Sequence, residues 1–130
     1  MSSMTSNSEI RLSPLGHTWI LDLDGTIVKH NGYKTEGVDT LLPGTRSFLE
    51  QIPQNDLIVF ITSRTEEVRD KTISFLKSHN IRFDHIIFNA PYGERILVND
   101  DKPSGLNCAL AFHFVRDQIN IGKITIDNDL

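Results

Sequence analysis

Asp22-Leu23-Asp24-Gly25-Thr26 sets two carboxylates two residues apart at the end of an apolar run, Trp19-Ile20-Leu21. Two other apolar runs end in polar clusters. Thr62-Ser63-Arg64 follows Leu57–Ile61, and Asn99-Asp100-Asp101-Lys102 follows Ile96-Leu97-Val98. Acids, hydroxyls and cations brought together in this way suit phosphoryl transfer. Crowded carboxylates repel one another and a phosphate dianion; a divalent cation cancels that repulsion and keeps a nucleophilic aspartate ionised. Asp22, Asp24 and Asp100, with Asp101 as a further candidate, form an oxygen-donor set suited to Mg²⁺. That ion takes few carboxylates and fills its shell with water and phosphate oxygens. Asp22 is the candidate nucleophile, and Asp24 the candidate group that protonates the leaving oxygen and then deprotonates water. Thr62, and the helix N-terminus behind Ser63, can donate to phosphate oxygens. Arg64 and Lys102 are the candidate phosphate-binding cations.

For these clusters to meet, the runs must be neighbouring strands with their carboxyl ends on one edge, where open α/β sheets bind ligands. The pattern supports this. Trp19-Ile20-Leu21, Leu57–Ile61, Ile86-Ile87-Phe88, Ile96-Leu97-Val98 and Ile124–Ile126 read as strands, the second buried on both faces. Helical spacing places a helix over 45–52, stopped by Pro53, and another through Val68, Thr72, Phe75, Leu76 and His79 to about Asn80. Ser63-Arg64-Thr65-Glu66 has the spacing of a capping box at its start. A third helix is predicted over about 104–118 from Leu106, Leu110 and Phe114. Strand and helix alternate, which predicts a Rossmann-like three-layer α/β/α sandwich with a mainly parallel sheet. Residues 1–13, rich in Ser, Thr and Asn, read as a flexible leader, and 14–130 as a single domain.

Taken together, Asp22-Leu23-Asp24-Gly25-Thr26, Leu42-Pro43-Gly44, Ile61-Thr62-Ser63-Arg64 and Val98-Asn99-Asp100-Asp101 resemble motifs of the haloacid dehalogenase superfamily of phosphohydrolases. The resemblance covers about residues 18–127. It implies that Asp22 is the nucleophile and a Mg²⁺ ligand, and that Asp24 is the acid/base and offers its main-chain carbonyl to the metal. It also makes Thr62 a phosphate binder and Asp100 a metal ligand. The superfamily's third motif, a lysine or arginine that neutralises the phosphate, has no clear counterpart; the candidates are Arg95, then Lys102, with Lys71 on the second helix. The loops at 28–44 and after the second helix are too short for a folded cap. Capless members act on large substrates or complete their sites with another subunit, so a homo-oligomer is compatible with this sequence. The segment from Arg95 to Lys102 is similar to small phosphatase-like proteins associated with capsule and surface-polysaccharide synthesis. A phosphorylated small molecule, above all a sugar phosphate, is then the implied substrate. In such an open site, specificity would come from loop 29–41 (with Tyr33 and Lys34), from 89–95, or from another subunit.

Composition fits this reading. At 130 residues, 38% hydrophobic and 23% charged, the chain is an ordinary globular sequence. Its apolar runs fall far short of the roughly 20 residues a membrane span needs, and with no apolar signal core the expected location is the cytoplasm. A net charge of −4 argues against a general nucleic-acid binder. Cys108 is the single cysteine, which excludes an internal disulfide and a cysteine-based zinc cage. His17, His30, His79, His85 and His113 show no paired metal spacing. Asp24-Gly25 between apolar pairs also reads as a hairpin turn, but that leaves the downstream acids unexplained. Two alternatives stand beside the sugar-phosphate phosphatase: a phosphatase of nucleic-acid ends, and a binding module that has lost catalysis.

Overall fold

A computed structural model describes residues 8–130. Five strands and three helices follow in chain order: β1 (Ser8–Leu12), β2 (Thr18–Asp22), α1 (Gly32–Thr35), α2 (Thr45–Glu50), β3 (Leu57–Ile61), α3 (Arg69–Ser78), β4 (His85–Ile87) and β5 (Ile121–Ile126). A 3₁₀ turn, Glu66–Val68, leads into α3. Every strand pairing is parallel. β2, β3 and β4 form one sheet in that order, and β1 pairs with β5 in a second, two-stranded sheet. This is the α/β class with parallel sheets that the sequence predicts, without a cap, and with its strands divided between two sheets. No helix among the described residues is long and apolar enough to cross a membrane.

One core joins the two sheets. Ile10 and Leu12 of β1 belong to the same buried cluster as Leu21, Leu23, Ile27, Phe48, Ile58, Phe60 and Leu76, with Ile121 and Ile124 of β5 packed against it. β3 alternates, burying Ile58 and Phe60 while Leu57 is exposed, so it is not covered on both faces as the unbroken apolar run suggested. α2 ends where Pro53 cannot continue it, and Asn80 leaves α3 in the left-handed conformation (φ 58°) usual after a helix end. Asp56 clamps the entries of β2 and β3. Its carboxylate accepts from the His17 backbone amide (3.1 Å) and from Trp19 Nε1 (2.9 Å), and lies 2.8 Å from His17 Nδ1.

Three expectations need correction. Residues 8–12, assigned to the leader, are β1, and Ile10 is 1% exposed; residues 1–7 of that leader lie outside the described residues. The strand expected at 96–98 does not form: Ile96 and Val98 are 85% and 89% exposed. The helix expected over 104–118 is absent as well. A short helix survives on the apolar face it can bury, and most of 104–118 is exposed. The left-handed backbone of Gly105 and Asp117 marks turns there instead.

Candidate active site

The register of the larger sheet aligns the strand ends. Asp22 pairs with Ile61, and Ile61 with Ile87, so Asp22 and Thr62-Ser63-Arg64 leave adjacent strands at one edge. Beyond β2 the chain coils around one carbonyl: Leu23 O accepts from the amides of Thr26 (3.3 Å), Ile27 (2.9 Å) and Val28 (3.1 Å). Leu23, Ile27 and Val28 are buried. They anchor the loop from below and leave Asp24, between them, half-buried at the strand end. Gly25 turns with φ 86°, a conformation that suits glycine. The Asp24-Gly25 step is thus a tight loop after a strand and not the turn of a hairpin.

Asp22 and Asp24 open onto a cleft of about 270 Å³, also lined by His30, Asn31, Tyr33, Lys34, Ser63, Arg64, Tyr92, Gly93, Arg95 and Arg116. The Asp22 carboxylate accepts from Thr26 Oγ1 at 3.0 Å and from Arg95 Nη1 at 3.3 Å. Its side chain is 39% exposed, so it is accessible from the cleft. Of the three cations considered for neutralising phosphate, Arg95 is the one in the cleft. Lys102 and Lys71 are exposed and do not line it.

Arg64 is fully occupied. Nε and Nη2 donate to Asp24 (3.0 and 2.8 Å), Nη1 and Nη2 donate to Asp39 (3.0 and 2.7 Å), and Nη1 donates to Thr72 Oγ1 (2.9 Å). These five bonds match the five N–H donors of a guanidinium. The Tyr33 ring covers it at 4.0 Å, a cation–π contact. Burial works against the charge, but the hydrogen bonds and charges of Asp24 and Asp39 outweigh it and hold the guanidinium pKa above its ordinary value. Arg64, expected to bind substrate, therefore has no donor left for one; it fixes the orientation of Asp24. Asp39 and Thr72 were not foreseen as parts of this site.

The remaining candidates divide. Ser63 lines the cleft, and its hydroxyl donates to Pro91 O (3.3 Å), tying down the loop that carries Tyr92 and Arg95. It caps no helix: the 3₁₀ turn begins after Thr65, without a side-chain cap, so the capping box is not made. Thr62 is 1% exposed, accepts from the Arg64 amide (3.1 Å), and stands behind the cleft. Asp100 and Asp101 are exposed and do not line the cleft; Asp101 accepts from the Cys108 amide (3.4 Å). Among the described residues, no three His, Cys, Asp or Glu side chains gather closely enough to hold a metal. The expected trio of Asp22, Asp24 and Asp100 is thus not assembled. The segment before Asp100 forms no strand that could carry it to the sheet edge. The Asp22 carboxylate and the Asp24 main-chain carbonyl still offer the hard oxygen donors Mg²⁺ accepts, since that ion is commonly held by one or two carboxylates plus water and substrate phosphate.

A capless α/β domain with Asp22-Leu23-Asp24-Gly25-Thr26 at a strand's carboxyl end, beside Thr62 and Ser63 on the next strand, defines a haloacid dehalogenase-like phosphatase. Residues 17–95 match the family model of the NLI interacting factor-like phosphatases, a family of that superfamily, and the chain belongs to it. It is accordingly a phosphatase, a hydrolase. The match takes in both strand-end motifs and Arg95 and stops short of Asp100. No curated protein and no solved structure matches the chain. Phosphatases of this superfamily generally use Mg²⁺.

Proposed function

We propose that the protein hydrolyses phosphomonoesters through a covalent phosphate on Asp22, with Mg²⁺ as cofactor and a sugar phosphate or related metabolite as substrate. The observation that supports this most is the Asp22 carboxylate. It is accessible in the cleft, carries Arg95 on one oxygen, and has Asp24 held beside it by Arg64. In the first step an Asp22 oxygen attacks phosphorus, the bond to the leaving oxygen breaks, and Asp24 gives that oxygen a proton. In the second, Asp24 takes a proton from water as the water oxygen attacks phosphorus, and the bond to Asp22 breaks. Arg95 faces the phosphoryl oxygens where charge accumulates. For either proton transfer one Asp24 oxygen must come free of Arg64, whose bonds to Asp39 and Thr72 hold the guanidinium in place meanwhile.

The Asp22 carboxylate and the Asp24 main-chain carbonyl are the groups that would hold Mg²⁺; the bound ion would offset the repulsion between carboxylate and phosphate. Asn31, Tyr33 and Tyr92 give the open cleft polar and aromatic walls suited to a sugar's hydroxyls and ring faces. A panel of phosphate esters with a colorimetric phosphate readout, run with Mg²⁺ and with excess chelator, tests the reading. Hydrolysis of hexose phosphates that stops with chelator and returns with Mg²⁺ is expected. Mg²⁺-dependent ligand binding without phosphate release would overturn catalysis. Preference for an oligonucleotide 3′-phosphate would overturn the substrate class.

A further inference from the structure

The cleft holds more positive charge than a single phosphate needs. Arg95 is paired with Asp22 and Arg64 with Asp24 and Asp39, but Lys34 and Arg116, which also line the cleft, make no salt bridge among the described residues. Arg116 lies far along the chain from every other lining residue, and specific contacts hold it there. It occupies a turn, closed by Gln118 N donating to Val115 O (2.9 Å), that docks on the loop after β2. Asp117 N donates to Gly25 O (2.8 Å), and Asp117 Oδ1 accepts from the His30 amide (2.8 Å). Asp117 adopts φ 65° to do so. The Arg116 stem lies over Gly25 so closely that a Cβ there would come within 3.1 Å of Arg116 Cγ. A bare glycine admits the stem, and Asp117 locks the turn.

We infer that Arg116, with Lys34, binds a second anionic group on the organic part of the substrate, so that the preferred ester is a phosphorylated sugar acid or a comparable diacid. This rests on the phosphatase reading above and adds the substrate class. Arg95 serves the phosphate at Asp22, while Arg116 and Lys34 are left for a charge beyond it. A guanidinium suits a carboxylate or phosphate because it can present two parallel donors. Asp117 is a positioning residue that acts through Arg116.

The test compares 6-phosphogluconate with sorbitol 6-phosphate, open-chain esters that differ in having a carboxylate or a hydroxymethyl group at the far end. The wild-type chain is expected to favour 6-phosphogluconate by about fivefold in kcat/KM, the upper end for one solvent-exposed charge pair. Arg116→Gln should lower the ratio toward one, leaving only what Lys34 supplies, Asp117→Ala should do the same, and Asp117→Asn, which keeps the acceptor oxygen, should restore it. Equal handling of the two esters by the wild-type chain would overturn the inference, as would a ratio unmoved by Arg116→Gln. Calorimetric binding of both esters without metal reads the same preference apart from turnover. Tighter binding of 6-phosphogluconate without hydrolysis of any ester would uphold this inference while sinking the catalytic reading; equal binding would overturn the inference itself.

Discussion

Arg64 grips Asp24 from the neighbouring strand end, its Nε and Nη2 meeting both carboxylate oxygens at 3.0 and 2.8 Å. Asp39, from the loop before α2, shares the same guanidinium at 2.7 Å. The proposed acid/base thus belongs to a largely buried network of Asp24, Asp39, Arg64 and Thr72, drawn from four separate segments of the chain.

Breaking the network should cost stability as well as turnover. The Arg64 and Asp39 side chains are 2% and 3% exposed, so Arg64→Ala strands a buried carboxylate. A loss of about 3–5 kcal/mol is expected in urea unfolding, the usual range for removing one partner of a buried pair. Arg64→Lys should recover little of it, because an ammonium has three donors where five are used. A lysine variant as stable as the wild type would contradict the geometry described here.

Asp22 presents the opposite case. Its side chain is 39% exposed, and its partners are Thr26 and Arg95. Asp22→Asn should leave the thermal midpoint within a few degrees while lowering p-nitrophenyl phosphate turnover by at least about 10³-fold, as loss of a nucleophile does. Substantial residual activity would exclude the covalent route.

Much of this was legible from sequence. β2, β3, α2 and α3 announced themselves through apolar runs bounded by Pro53, Asn80 and strand-end polar residues, and Asp22 and Asp24 fell at the edge expected of them. Arg64 reads as a phosphate-binding cation from its place beside Thr62 and Ser63 at a strand end, while Asp39, which shares its guanidinium with Asp24, sits in a loop of turn-forming residues with no periodic signal. Ile96–Val98 has the composition of a strand, yet strand composition records only suitability for a pleated, half-buried surface, and this segment remains in solvent. The alternation Glu9-Ile10-Arg11-Leu12 did carry a two-residue period that would have revealed β1, hidden by the polar stretch before it.

β1 supplies its own test. Ile10 is 1% exposed within the common core, so Ile10→Ala should lower the stability of the domain by about 2–4 kcal/mol. Chemical denaturation of the variant checks this; an unchanged midpoint would mean that residues 8–12 are dispensable.

The response to acid follows from Glu66. Hydrogen bonds from Arg69, with a smaller coulombic contribution from the same residue, outweigh desolvation and hold its carboxyl below the ordinary carboxylate value. A depressed value contributes stability above the unfolded pKa, and that contribution disappears as pH falls through the folded one. Glu66→Gln should therefore melt slightly below the wild type near neutral pH, and the two should converge as pH falls below the ordinary carboxylate range. A gap that widened on acidification would reverse the assigned sign.

The β1–β5 ladder matches Ile10 with Ile124 and Leu12 with Ile126. During synthesis, then, the early apolar residues must wait without their partners until nearly the whole described chain has left the ribosome. Closing so distant a pairing is slow, so a nascent chain stalled before residue 121 would leave Ile10 and Leu12 unshielded and inviting to chaperones or to one another.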